Sequence, residues 1–179
     1  MGRGARCSGD GRRHAAGALA LALAAALAPA AAGALDPSPS PCPRSRDAVV
    51  VMTDRRELWL CSGGTPAAQY AVALGRSGVG KRRRGDGRTP LGTYPLGDPR
   101  PSPQYGTFIP IAYPTPAQAA RGFTGTAVGI HGPPRGTEGA GYPVTEVDWT
   151  QGCIATGSDE DVDAIAAFVR ARRPRLVIR

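Results

Sequence analysis

The sequence predicts a single, mostly β domain with one or two short peripheral helices, set behind an export segment. Three observations carry this expectation. Short β-rich runs are separated by turns throughout a chain of 179 residues that holds 25 glycines and 18 prolines. Only two stretches read as convincing helices, each opened by a capping residue. Residues 1–32 have a composition of their own, basic and then apolar, and stand outside the domain.

That first segment reads as a secretory signal. Arg3, Arg6, Arg12 and Arg13 form its basic start, Ala15 to Ala28 its apolar stretch, and Ala30 to Ala34 supply small residues suited to a signal peptidase. The apolar stretch is short for a membrane span, which needs roughly 20 residues, so a retained anchor is the weaker alternative. The surroundings of Arg12-Arg13 fit twin-arginine export poorly, so export by the general route is expected. Residues 33–46 follow as a Pro/Ser-rich linker expected to run extended, and residues 47–179 form the domain.

Order begins with Ala48-Val49-Val50-Val51-Met52, a β-rich run. The turn-forming Thr53-Asp54-Arg55-Arg56 leads into Glu57-Leu58-Trp59-Leu60-Cys61, and the pair suggests a hairpin. Ser62-Gly63-Gly64 breaks it, and Gln69 to Leu74 reads as a third strand. Between Gly75 and Gly97 glycine recurs with Lys, Arg and Pro, which marks a long structured loop. It is not a phosphate-binding loop, since it lacks a terminal Gly-Lys-Ser/Thr and a strand–loop–helix setting. Short strands are expected at Tyr94–Leu96, Thr107–Ala112 and Val128–His131, and Leu176-Val177-Ile178 closes the chain.

Thr115 can cap a short helix with Pro116 in its first turn and Gly122 beyond its end. Ser158 caps a better one. Asp159, Glu160 and Asp161 complement its dipole, and Val162, Ile165, Ala166 and Val169 form an apolar stripe at helical spacing.

Removing residues 1–32 takes away four arginines and one aspartate, which lowers the formal net charge from +8 to +5. A moderately basic exported domain suits an anionic envelope or a carboxylate-bearing substrate. Nucleic acid is excluded despite Lys81-Arg82-Arg83-Arg84, because no helix carries a basic face and only three Phe and two Trp are present.

Cys7 leaves with the signal, so Cys42, Cys61 and Cys153 remain. An odd count in an exported chain implies one free thiol or a bridge to another chain. Cys42 precedes the first strand and Cys61 ends the second. A hairpin brings these two together, giving a Cys42–Cys61 disulfide with Cys153 free; the alternative is three unpaired thiols.

The chemistry concentrates in two runs, Gly129-Ile130-His131-Gly132 and Asp148-Trp149-Thr150-Gln151-Gly152-Cys153-Ile154. A thiol attacks as thiolate, and a neighbouring imidazole is the usual means of generating one. Cys153 fits a nucleophile and His131 the general base, being the single histidine after the signal. The glycine before Cys153 permits a tight turn, so that the amides of Gly152 and Cys153 both face a substrate carbonyl oxygen. Gly132 is expected to leave room for substrate. The second nitrogen of His131 needs a partner, and a backbone carbonyl is expected because no carboxylate is clearly paired with it. One Cys and one His without a second ligand pair fall short of a zinc site.

With these residues in hand, the layout resembles the catalytic domain of the L,D-transpeptidases of the YkuD family. That family's signature is His-Gly, a spacer, then Ser/Thr-x-Gly-Cys and an apolar residue. It is matched by His131-Gly132 and by Thr150-Gln151-Gly152-Cys153-Ile154. Upstream, a glycine–lysine element and Gly85-Asp86-Gly87-Arg88-Thr89-Pro90-Leu91-Gly92-Thr93-Tyr94 also correspond. The order His then Cys separates the chain from papain-like and NlpC-like hydrolases. Gln151 stands where the family often has His, and Ala155 where it usually has Arg. The Asp-Trp-Thr-x-Gly-Cys-Ile-Ala form resembles a recognised branch.

The resemblance implies a β-rich catalytic domain that is exported to the periplasm or cell envelope. There it acts, as a monomer and without cofactor or metal, on peptidoglycan stem peptides in cell-wall biogenesis. Cys153 attacks the L,D bond between a diamino acid and a terminal D-alanine, and a neighbouring amine resolves the thioester into a cross-link. Thr150, Gln151 and Gly132 support the site. The rivals are an L,D-carboxypeptidase or hydrolase, with water as acceptor, and a wall-binding module with a dead site.

Overall fold

The run Val49-Val50-Val51 is continuous rather than alternating because strand β1 (Ala48–Met52) is buried on both faces. Val49 and Val51 enter the main core, whereas Val50 enters a smaller cluster with Cys42, Ala48 and Cys61. A computed structural model describes residues 40–136 and 144–179 of the chain. The expected signal segment, Cys7 and residues 33–39 of the expected linker lie outside the described residues.

Strand β1 pairs antiparallel with β2 (Glu57–Ser62), which pairs antiparallel with β3 (Thr65–Ala73). The third strand therefore starts four residues before its expected beginning at Gln69, because Gly63 and Gly64, both at positive φ, turn the chain directly back. Beyond it lie β4 (Gly92–Pro95), β5 (Arg100–Ser102), β6 (Gly106–Pro110), β7 (Gly129–His131), β8 (Ile154–Thr156) and β9 (Arg175–Ile178). They form one nine-stranded sheet in the order β4-β9-β1-β2-β3-β8-β7-β6-β5. The sheet curls until its ends approach: Leu96 after β4 bridges Ile111 after β6, and Gly97 N–H donates to the Pro110 carbonyl at 2.8 Å.

Helix α1 (Pro116–Ala120) has the expected Thr115 cap, and Gln118 closes the capping box by accepting from the Thr115 amide. Helix α2 (Asp159–Arg172) begins at Ser158, whose hydroxyl accepts from Asp161 N–H at 3.1 Å. Its stripe of Val162, Ile165, Ala166 and Val169 is buried against β6 and β8. The domain is thus β-rich with two helices among its described residues.

Residues 40–46, expected as the end of an extended linker, instead turn and pack on the domain. Cys42 is joined to Cys61 by a disulfide, the Pro41 carbonyl accepts from the Arg179 guanidinium, and the Arg46 carbonyl accepts from Gly64 N–H. The bridge spans a sequence separation of 19 and pins the smaller cluster, where Trp59 and Met52 also pack. Replacing both cysteines by alanine should lower unfolding stability by about 3 kcal/mol, as expected for a closed loop of that length. Urea titration of the two forms measures this. Unfolded, non-reduced protein freed of residues 1–32 should titrate one thiol per chain, and three thiols in such protein taken from an oxidising compartment would refute the bridge.

Candidate active site

Parallel pairing of β7 with β8 sets Ile130 opposite Ile154 and His131 opposite Ala155. Both isoleucines enter the core, so alternation turns His131 to the other face, and Cys153, two residues before Ala155, goes with it. Both side chains line one open cleft of about 580 Å³, together with Tyr105, Phe108, Trp149, Thr150 and Gln151.

The turn before β8 is fixed from within. Thr150 Oγ1 donates to the Cys153 carbonyl at 2.7 Å and accepts from Gly152 N–H at 3.0 Å. Thr150 itself is held by the Leu74 carbonyl, and Asp148 Oδ1 accepts from Leu74 N–H. Gly152 has φ +124°, and a Cβ there would run into the Arg88 carbonyl oxygen, so the position requires glycine. Two expectations need correction here. The Gly152 amide does not face the cleft as an oxyanion donor, because Thr150 Oγ1 occupies it; the Cys153 amide is the remaining candidate from this turn. Nor does Gly132 leave room for substrate: a Cβ there would lie 2.7 Å from Asp159 Oδ1 and 3.0 Å from the Tyr105 carbonyl oxygen. Its missing side chain lets the start of α2 and the β5–β6 loop close over the histidine strand.

His131 is 1% exposed. Its Nδ1 lies 2.7 Å from the Gly132 carbonyl oxygen, and a carbonyl can only accept, so Nδ1 carries the proton and Nε2 is the basic nitrogen. Tyr105 stacks on the ring with centroids 3.9 Å apart at 25°, and Trp149 meets it edge-on at 5.8 Å. Burial pushes the imidazole pKa below its ordinary value, although the bond to the Gly132 carbonyl works in the opposite direction. The ring is therefore neutral at neutral pH.

Cys153 carries a free, half-buried thiol that donates to the Ala127 carbonyl at 3.6 Å. Burial raises its pKa; a hydrogen bond from the Gly129 amide and the Lys81 ammonium favour the thiolate without cancelling that effect. A neutral imidazole and a neutral thiol thus share the cleft. Such a pair can perform acyl transfer if the base takes the thiol proton as sulfur attacks. Among the described residues no group of three or more His, Cys, Asp or Glu is arranged to hold a metal, and no helix is long and apolar enough to cross a membrane.

Cys153 also lines a second cavity of about 260 Å³, with Lys81, Arg84 and Gln151. Lys81, 5% exposed, donates to Asp86 Oδ1 at 2.8 Å. Sequence reasoning missed this cavity and gave no role to Tyr105 or Trp149. Trp149 lay within the quoted cysteine run, whereas nothing local marks Tyr105, which reaches His131 from a loop 26 positions away.

The fold and the cleft together describe a β-rich domain that sets a free thiol and an imidazole on one open surface. Residues 45–178 match the YkuD family, the L,D-transpeptidase catalytic domain, and the chain belongs to that family. Among solved structures it is similar to the helical cell shape determining protein Pgp2 from Campylobacter jejuni. The TM-score there is 0.62 at 23% identity, over 76% of this chain and 48% of that one. It is also similar to Bd1075 of Bdellovibrio bacteriovorus, with TM-score 0.56 and 20% identity over 76% of this chain and 48% of that one. At these identities the likeness is one of fold, and the chain spans about half the length of either protein. No curated protein matches the chain by sequence.

Proposed function

We propose that the chain is an exported cysteine L,D-transpeptidase acting on peptidoglycan stem peptides. The observation that carries this reading is the His131 geometry. With Nδ1–H committed to the Gly132 carbonyl, Nε2 is left as a base in the cleft that holds the free Cys153 thiol. Nε2 takes the Sγ proton as sulfur bonds to the carbonyl carbon between the diamino acid and the terminal D-alanine. The Cys153 amide holds the developing oxyanion. The C–N bond breaks, the imidazolium returns its proton to the leaving D-alanine amine, and a thioester remains. A stem amine then attacks that thioester, giving its proton to Nε2; the C–S bond breaks and the thiol is restored. No cofactor enters these steps.

Water as the acceptor gives the same first half and an L,D-carboxypeptidase. The second cavity beside Cys153 favours an amine, since it offers a bulky acceptor an approach distinct from the main cleft. Incubating the domain with tetrapeptide-bearing muropeptides and weighing the products tests this. Cross-linked dimers are expected. Monomers shortened by one alanine would select the hydrolase, and unchanged substrate would select a non-catalytic wall-binding module. Residues 1–32 are proposed to direct the chain to the envelope, where fractionated cells should contain the processed form.

A further inference from the structure

The second cavity has a charge asymmetry that acyl transfer alone does not require. Among the described residues its charged lining consists of Lys81 and Arg84, with no carboxylate. The remaining wall is small: Gly85, Gly125, Thr126, Ala127 and Val128, besides Gln151 and Cys153. Lys81 is nearly buried, and burying an ammonium is costly unless it is paired and hydrogen-bonded. Asp86 supplies the pairing and fixes the direction. Its Oδ1 accepts from Lys81 Nζ at 2.8 Å and from Arg88 N–H at 3.1 Å, while its Oδ2 accepts from the amides of Arg82 and Arg83 at 2.8 and 2.9 Å. Burial alone would raise the Asp86 pKa, but those backbone bonds and the ammonium outweigh it and hold the carboxyl ionised.

Lys81 gives a second hydrogen bond to the Arg83 carbonyl at 3.2 Å, and an ammonium has three protons to donate. Among the described residues the third finds no acceptor, and it is left for whatever enters the cavity. Nζ sits close to the nucleophile's turn, 3.5 Å from where a Cβ on Gly152 would lie. Gly125, at φ +129°, keeps the approach open, since a Cβ there would press on Lys81 Cε at 3.1 Å. Arg84 is exposed at the rim and makes no ion pair among the described residues.

We infer that this cavity is a carboxylate subsite, which takes the α-carboxylate of the residue carrying the reacting amine. The inference rests on the acyl-transfer reading and specifies its substrate. One residue spans at most about 3.6 Å of extended chain, so a carbonyl placed on Cys153 Sγ leaves the carboxylate of the following residue within reach of the adjoining cavity, which Cys153 also lines. The same geometry serves both half-reactions. The departing D-alanine has its amine and carboxylate on one carbon, and so does an acceptor amine at the D-centre of a diamino acid.

The test measures binding to full-length Cys153→Ala protein, which cannot turn substrate over. The probes are a stem tetrapeptide ending in D-alanine and the same peptide ending in D-alanine carboxamide. The acid should bind at least about tenfold more tightly than the amide, the factor a charge-assisted contact supplies. Adding Arg84→Gln or Lys81→Met should erase most of that preference while leaving amide binding unchanged. Arg84→Gln alters an exposed side chain, so it decides the matter even where Lys81→Met fails to fold. Equal binding of the two peptides, including none, or a preference that survives Arg84→Gln, overturns the subsite. An enzyme with intact Cys153 that prefers the acid but turns over neither peptide overturns the acyl-transfer reading and leaves the subsite standing.

Discussion

Cys153→Ala and Cys153→Ser should lose turnover by about 10⁶-fold, the scale on which removal of a covalent nucleophile is felt. The prediction is sharp because the substitution disturbs little else. The Cys153 thiol has only weak partners, the Ala127 carbonyl at 3.6 Å and the Gly129 amide, and the turn around it is held by Thr150 and by the carbonyl of residue 153, which any side chain leaves in place. Both variants should therefore keep their melting temperature while losing activity. Neither should form a covalent adduct with an acylating β-lactam such as a carbapenem, which intact-protein mass spectrometry reads directly. A variant that turns over stem peptide at the parental rate would remove the cysteine mechanism altogether.

That nucleophile stood out in the sequence because glycine, cysteine and histidine are chemically distinctive, and their runs are short and local. The first hairpin was legible for a similar reason: its strands are adjacent and their turn is polar. Helix α2 announced itself through a cap, an acidic first turn and an apolar stripe, all within one stretch of chain. Strands β5 and β8, three residues each, did not. They are too short to show alternation, and β8 exists because β3 and β7, remote in sequence, sandwich it. The same divide runs through the site. Cys153 and His131 could be picked by residue type, whereas the stacking of Tyr105 on the imidazole and the pairing of Lys81 with Asp86 beside the thiol arise only when loops meet. The Gly152 amide illustrates the limit best. Its glycine was legible, but its hydrogen bond depends on the rotamer of Thr150, which no spacing rule fixes. The role given to Gly132 failed likewise, since what fills the space of its missing side chain comes from Tyr105 and Asp159.

His131→Ala should lose nearly all activity at pH 7 and recover part of it only in alkaline solution. The sign follows from both shifts. A histidine whose pKa is lowered stays neutral, and hence basic, down to pH values below its ordinary 6.5, so the parent's acid limb should fall there. A thiol whose pKa is raised is protonated at pH 7, so without a base almost no thiolate is present. Removing His131 leaves hydroxide to deprotonate Cys153, and the rate should climb with pH past the 8.5 of an unperturbed thiol. Gln151 provides the contrast. It is exposed on the rim of both cavities, and an amide accepts no proton near neutrality, so Gln151→Ala should cost on the order of tenfold with no change in the shape of the pH profile. Acylation rates of the three proteins, followed by mass spectrometry from pH 5 to 10, separate a base from a residue that merely orients substrate. Parental acylation by His131→Ala at pH 7 would mean that another group takes the proton. A recovery centred at or below pH 8.5 would mean that burial does not hold the thiol protonated, because only a raised thiol pKa carries the limb further into alkali.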